Sequence, residues 1–482
     1  MAKCAAGVAM VRHRCAALAL LLAVGGSGCS AVRARSANPG PLGAEGDLYV
    51  FLQPFAREVE NVTFGVTGVE VVGSGDGAAQ PVHAVLSEIG GEGRGRQRLL
   101  AQGRLAAGTY AGLRLKVGRA RLETPEGPAD LLVRTEEVQV SGAFTVLPGR
   151  AHVLWLVLRE AQPSGDDVSF APRFSLVAPE ATHPQRLGYC ASTGDNALIA
   201  FDRYERQVTG AIATGMGPAG VAMDQAANLA YVALSLEDRI EVLDLTNGQV
   251  REPIRLRPGD GPYDVALVDE GRTLLAVNRR SSTVSFLDTS ARVEIGRAAV
   301  GEEPWSLRLD PQRHRAYVFG RRSNTVTALD VTRRTVVGAA ATEPEPLRGD
   351  LDRSGSRLFV VHAGSAYLSI YTLPELAPAG RLFVGLGATA ILVDPRTDLL
   401  YVAQSGNPVL AVFDPFSLVP LGGVDVGGGA SFLVFDATQN LLFALLPERR
   451  AVSVVDLTAQ RQVGLFEVGR EPYDLALSGE RR

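Results

Sequence analysis

A unit of about 42 residues recurs through the C-terminal three hundred residues of this 482-residue chain. Its openings stand at Gly215, Gly259, Gly301, Glu343, Gly385, Gly427 and Gly469, the first interval 44 residues and the next five 42. Most read Gly-x-x-Pro, as Gly259-Asp-Gly-Pro262 and Gly301-Glu-Glu-Pro304 do. A second marker keeps the same frame at Tyr189, Tyr231, Leu275, Tyr317, Phe359, Tyr401 and Phe443. A third is an aspartate closing an apolar triplet, at Asp202, Asp244, Asp288, Asp330, Asp414 and Asp456, with Thr372 in the remaining copy. Self-similarity at a fixed period of this size identifies a repeat array.

Within one unit the chain alternates short apolar runs with turns. Tyr263-Asp-Val-Ala-Leu-Val268, Thr273-Leu-Leu-Ala-Val277, Thr283-Val-Ser-Phe-Leu-Asp288 and Glu294-Ile-Gly-Arg-Ala-Ala-Val300 read as four strands. The 53 glycines, above the usual ~7%, suit many tight turns. Four strands per unit of 40–45 residues predict propeller blades. Residues 187–214 hold the second to fourth strands of a blade, and 469–477 hold only a first. Joined, they complete a composite blade beside six whole ones, closing a seven-bladed ring with no open sheet edge.

These residues resemble the YVTN-type repeat family of seven-bladed propellers. Tyr231-Val232, Tyr317-Val318 and Tyr401-Val402 match its Tyr-Val pair, and Val242-Leu-Asp244, Phe286-Leu-Asp288 and Val454-Val-Asp456 match its Val-Ile-Asp ending. The resemblance spans residues 187–482 and implies the fold. For function it leaves several outcomes open, since members include surface-layer proteins, lactonase-like enzymes and uncharacterised envelope proteins.

Before the propeller, residues 46–180 lack the 42-residue frame. Alternating runs at Leu48–Leu52, Asn61–Val72, Leu113–Val117, Val138–Val146 and His152–Val157 predict a separate β-sandwich of six to eight strands. The stretch from Leu105 to Leu115 resembles a "pAGtYtglRL" signature of a bacterial lipoprotein sandwich domain of unknown function, and Phe174–Pro179 looks like that domain's final strand. The linker is 181–186.

Residues 1–28 read as a signal peptide. Arg12, His13 and Arg14 precede an apolar run from Cys15 to Val24, and small residues follow. Met1 and Met10 both serve as starts for such a segment. At about ten residues the run is too short to span a bilayer of ~30 Å at ~1.5 Å per residue. Gly26-Ser27-Gly28-Cys29 resembles a bacterial lipobox, which implies a lipidated Cys29, membrane attachment through it, and a tether over 29–45. Gly26 departs from the family's Leu, Val or Ile, so an ordinary signal stands as the alternative. Ser30 resembles the pattern of outer-membrane lipoproteins. Of four cysteines, only Cys190 remains for the folded part, so no intrachain disulfide is expected. It reads as a buried structural thiol.

Motifs for chemistry are sparse. No Cys-x-x-Cys-His or Gly-x-x-x-x-Gly-Lys is present, which excludes the usual covalent c-type haem attachment and a P-loop. His83, His152, His183, His314 and His362 show no His-x-x-x-His spacing. A formal charge of −4 gives no footprint for nucleic acid. The repeated aspartates serve the repeat, through turn hydrogen bonds. No catalytic residue, metal ligand or cofactor is assigned.

What differs between copies at one position is more informative. Just after each opening turn the chain enters the strand that lines a propeller's channel. The residues there bring Tyr263, Asp264, Trp305, Arg348, Tyr473 and Asp474 to one mouth, the remaining blades offering mainly small residues. Aromatic faces with a few polar groups describe a binding site, and the alternative is that these side chains only plug the channel. The expectation is a monomeric cell-envelope lipoprotein, facing the periplasm or the cell surface, that binds or scaffolds an envelope protein, peptide or glycan. A lactonase-like hydrolase using the mouth is the rival, and an assembly part without a ligand is a third reading.

Overall fold

The computed structural model describes residues 40–55, 61–75, 78–90, 95–160 and 169–480. The signal segment, Cys29 and the first part of the tether lie outside the described residues. The chain is all-β.

Alternation at period two gives strands, and the repeat stacks them into seven four-stranded antiparallel sheets. The inner strands of blades 2 to 7 are Pro218–Asp224, Pro262–Val268, Pro304–Asp310, Pro346–Leu351, Ala388–Val393 and Phe432–Asp436. Blade 1 is composite: Leu187–Ser192, Ala197–Asp202 and Gln207–Ala213 take Pro472–Leu477 as their inner strand. The seam is antiparallel, with Gly188 opposite Leu477 and Cys190 opposite Leu475. Inner strands touch their neighbours around the whole ring.

Middle strands of each blade are mainly apolar because both faces pack against adjacent blades. Thr273–Asn278 is buried at every position. Val277 and Phe286 of blade 3 share a core with Val318 and Leu329 of blade 4. Outer strands such as Thr335–Ala341 are largely exposed. In every blade but the fifth, where Thr372 stands, the recurrent aspartate lies at or just after the end of the third strand and closes the next turn. Asp288 Oδ1 accepts from the amides of Ser290 (2.9 Å) and Ala291 (2.7 Å). Asp202, Asp414 and Asp456 bond the same two positions of their own turns. The residue four places on is left-handed in every copy, as at Arg206 (φ 58°), Gly248 (64°) and Arg292 (58°).

Among the described residues, the N-terminal part is one curled sheet of eleven strands. Its halves face each other as in a sandwich, joined through Ala79–Ala84, which pairs with both Val62–Gly73 and Arg98–Ala106. Leu48, Val50 and Leu154 from one half meet Phe64, Val66 and Leu115 from the other in a single core. The strand count exceeds the six to eight expected from alternation. Arg98–Ala106 escaped that reading because both its faces are buried: Leu100 enters the sheet's own core while Leu99 packs on the propeller. Tyr49, Phe51 and Val153 join Leu99 there, against Ile199 and Phe201 of blade 1 and Phe443 and Phe466 of blade 7.

Polar contacts fix this junction. The buried Gln97 amide brackets the outer strand of blade 1, donating to Val208 O (3.2 Å) and accepting from Val208 N (2.7 Å). Trp155 Nε1 also donates to Val208 O at 2.9 Å. Arg98 pairs with Glu467 of blade 7 at 3.0 Å, and Arg150 donates to Gly248 O of blade 2 at 2.6 Å. The curled sheet therefore covers an outer strand edge that would otherwise be open to pairing.

Candidate binding site at the propeller mouth

The two residues that follow each opening turn sit at the same end of the channel. Blades 2 and 6 place small residues there, Ala219-Gly220 and Thr389-Ala390, so larger side chains from neighbouring blades reach across. Gly220 is required by close approach, since a Cβ would lie 2.7 Å from Asp264 Cα and 3.0 Å from Val265 N.

Three aromatic side chains meet in the space this leaves. Tyr263 and Tyr473 have ring centroids 4.8 Å apart, Tyr263 and Trp305 4.9 Å, and Trp305 and Tyr473 6.4 Å. All three pairs are inclined at 60–62°; the two that involve Trp305 are edge-to-face, as aromatic quadrupoles favour, and the tyrosine pair is tilted. Each ring is half-buried. Burial pushes the phenols of Tyr263 and Tyr473 above their ordinary range, so both stay neutral.

Arginines frame the rings. Arg279 lies 4.8 Å from the Tyr263 centroid and 4.6 Å from that of Trp305, and Arg321 lies 4.9 Å from Trp305. Both are held by carboxylates of the next blade: Arg279 pairs with Glu303, and Arg321 with Glu345 at 2.9 Å. Arg348 reaches from blade 5 over Phe432 of blade 7, 4.5 Å from its ring, and lies 5.5 Å from that of Tyr473.

Asp264 and Asp474 behave differently from the rest of the expected set. They are 3% and 1% exposed, and both carboxylates are engaged by backbone amides. Asp264 accepts from Val265 N (2.9 Å) and from Leu307 N (3.0 Å) in blade 4. Asp474 accepts from Leu475 N (2.9 Å) and from Val221 N (2.8 Å) in blade 2. Each ties its blade to the next one. Asp350 does the same with Leu351 N and Val393 N, both at 2.8 Å.

Below the rings the channel keeps a cavity of about 80 Å³, lined by Ser306, Arg308, Arg348, Asp350, Leu392 and Phe432 among others. Arg308 and Asp350 form an ion pair inside it at 2.8 Å. Pockets for drug-sized molecules run to about 300–1,000 Å³, so this space admits only the tip of a group. Among the described residues, no cluster of three or more His, Cys, Asp or Glu is arranged to hold a metal.

The structure thus brings together Tyr263, Trp305, Tyr473 and Arg348 and adds Phe432, Arg279 and Arg321. Phe432 occupies the compared position, next to the small Ser431. The two arginines carry a signal in the repeat, because Arg-Arg-Ser stands at 279–281 and again at 321–323, one unit later.

The architecture defines a seven-bladed β-propeller with four-stranded blades. Solved structures similar to it include hydrazine synthase from Kuenenia stuttgartiensis, at 15% identity, TM-score 0.51, covering 56% of this chain and 93% of that one. Another is the dihydro-heme d1 dehydrogenase NirN in complex with DHE, at 14% identity and TM-score 0.50, covering 62% and 77%. A third is a functionally unknown protein from Desulfotomaculum acetoxidans, at 12% identity and TM-score 0.53, covering 61% and 98%. At such identities the likeness concerns the fold alone. No protein-family model and no curated protein matches the chain.

Proposed function

We propose that this chain is a bacterial cell-envelope lipoprotein, anchored through Cys29, whose propeller mouth binds a protein or peptide partner. The YVTN-type repeat resemblance and the lipobox-like Gly26–Cys29 support the envelope setting. The convergence of Tyr263, Trp305 and Tyr473 with Arg279, Arg321 and Arg348 supports binding. Trp, Tyr and Arg dominate binding energy at interfaces, and here each is pre-positioned by a neighbour. Against a glycan, the rings that would stack on sugar already carry guanidinium groups. Against the lactonase-like alternative, Asp264 and Asp474 spend their oxygens on backbone amides.

In-cell photo-crosslinking tests this. A photoreactive residue at position 305, with 263 and 473 as companions, is expected to give a discrete crosslinked protein that outer-blade position 334 does not. No band from any mouth position, in protein shown to be folded and exported, sinks the reading.

A further inference from the structure

The geometry points to Arg348 as the receptor for a carboxylate carried by an extended peptide, an inference that rests on the mouth being a peptide-binding platform. Arg348 stands apart from the arginines around it. Arg279, Arg321 and Arg308 each have a carboxylate partner, in Glu303, Glu345 and Asp350. Arg348 makes no ion pair or hydrogen bond with another described residue, and its guanidinium is held only by the faces of Phe432 and Tyr473.

Stacking orients a planar guanidinium while leaving its N–H donors free. Such a fork matches a carboxylate through two parallel hydrogen bonds. Its rigidity is supplied before the ligand arrives, so little ordering entropy opposes binding. The acidic groups that would compete are already engaged: Asp264 and Asp474 by amides of adjoining blades, Asp350 by Arg308.

The cavity sets the size of what enters. About 80 Å³ next to Arg348, Ser306 and Phe432 has room for a carboxylate and a few waters, each water needing about 10–15 Å³ of such space. The group therefore arrives on a slender chain, as an Asp or Glu side chain or as a peptide C-terminus. An apolar neighbour in the same peptide then meets the parts of Trp305 and Tyr263 that Arg279 and Arg321 leave uncovered.

A displayed library of random linear peptides, selected on the full exported protein, provides the test. Enriched peptides are expected to carry an acidic residue or a required free C-terminus beside an apolar residue. Replacing that acid by its amide, or amidating the terminus, tells the two sources apart, and a loss in either arm supports the inference. Arg348→Gln is expected to weaken the best peptide about 10–100-fold, the scale of one charge-assisted hydrogen-bonded pair, and Arg348→Lys less. The peptide-side exchange needs no variant protein, so it decides the matter even if Arg348→Gln folds poorly. Peptides that bind without an acidic group but are lost with Trp305→Ala overturn the role of Arg348 and leave the platform standing. No enrichment, together with no crosslink from position 305, overturns the platform itself.

Discussion

Arg470 and Asp195 meet across the seam of the ring, with Arg470 Nε 2.6 Å from Asp195 Oδ1 although 275 residues separate them in sequence. Asp195 also accepts from Ser192 Oγ at 2.9 Å and from the Arg470 amide, and Ser192 Oγ bonds Arg470 O at 2.8 Å. One buried carboxylate thus anchors the turn before Pro472–Leu477 to the turn after Leu187–Ser192. Asp195→Ala is expected to cost about 1–3 kcal/mol, the usual penalty for leaving part-buried donors without their acceptor. Chemical denaturation reads the loss. Hydrogen exchange should place it first at the amides of Leu187–Ser192, and uniform exchange across all blades would contradict this.

Gly220→Ala should loosen the mouth from below. The added Cβ meets the backbone of Asp264, so the strand must shift, at about 1–3 kcal/mol for overpacking. The near-ultraviolet dichroism of Tyr263, Trp305 and Tyr473 should fall together with the melting temperature. An unchanged aromatic signal would mean that the cluster does not depend on this approach.

Asp47 gives the junction between sheet and propeller a pH dependence. Burial pushes its carboxyl up from 3.8 to about 6, opposed by Arg104 and reinforced by Asp195. A raised carboxylate favours the folded state in its protonated form, so its contribution is complete below the unfolded value and disappears as pH rises through about 6. From pH 7 to pH 5 the wild type should gain about 1 kcal/mol from this group. Asp47→Asn should remove that increment, as denaturant titrations at the two pH values would report. A variant with the wild-type pH slope would rule Asp47 out.

Gln97→Ala should strip the bracket from Val208 and cost about 1–3 kcal/mol, because the buried Val208 N–H loses its acceptor while Val208 O keeps only Trp155 Nε1. Exchange of the Val208 amide should quicken well before that of Cys190. Equal protection in variant and wild type would show that the strand edge needs no cover.

Much of the ring was legible because a repeat gives equivalent residues the same address. Asp288 and its counterparts announce a turn by recurring, and Tyr263, Trp305 and Tyr473 announce a shared location by differing where everything else repeats. Direction within an address is another matter. A carboxylate at position 264 reads identically whether it faces the channel or turns back to Leu307 N, and only the packing of Gly220 against it decides. Arg98–Ala106 was hidden for a related reason, since a strand buried on both faces has no alternation to reveal it. Contacts such as Arg348 on Phe432 join blades that the chain visits far apart, and no local pattern encodes them.

The composite blade also orders events in time. Blades 2 to 7 are each built from about 40 consecutive residues, so their contacts are local and can form early. Blade 1 must wait for Leu187–Ser192 to find Pro472–Leu477, the most distant pairing in the ring. Until then a nearly finished molecule carries one vacant strand position and one unplaced strand. At high concentration a second copy can supply that strand instead, so the same closure that pairs both ends of the repeat in the mature ring makes the half-closed ring a donor and acceptor for exchange.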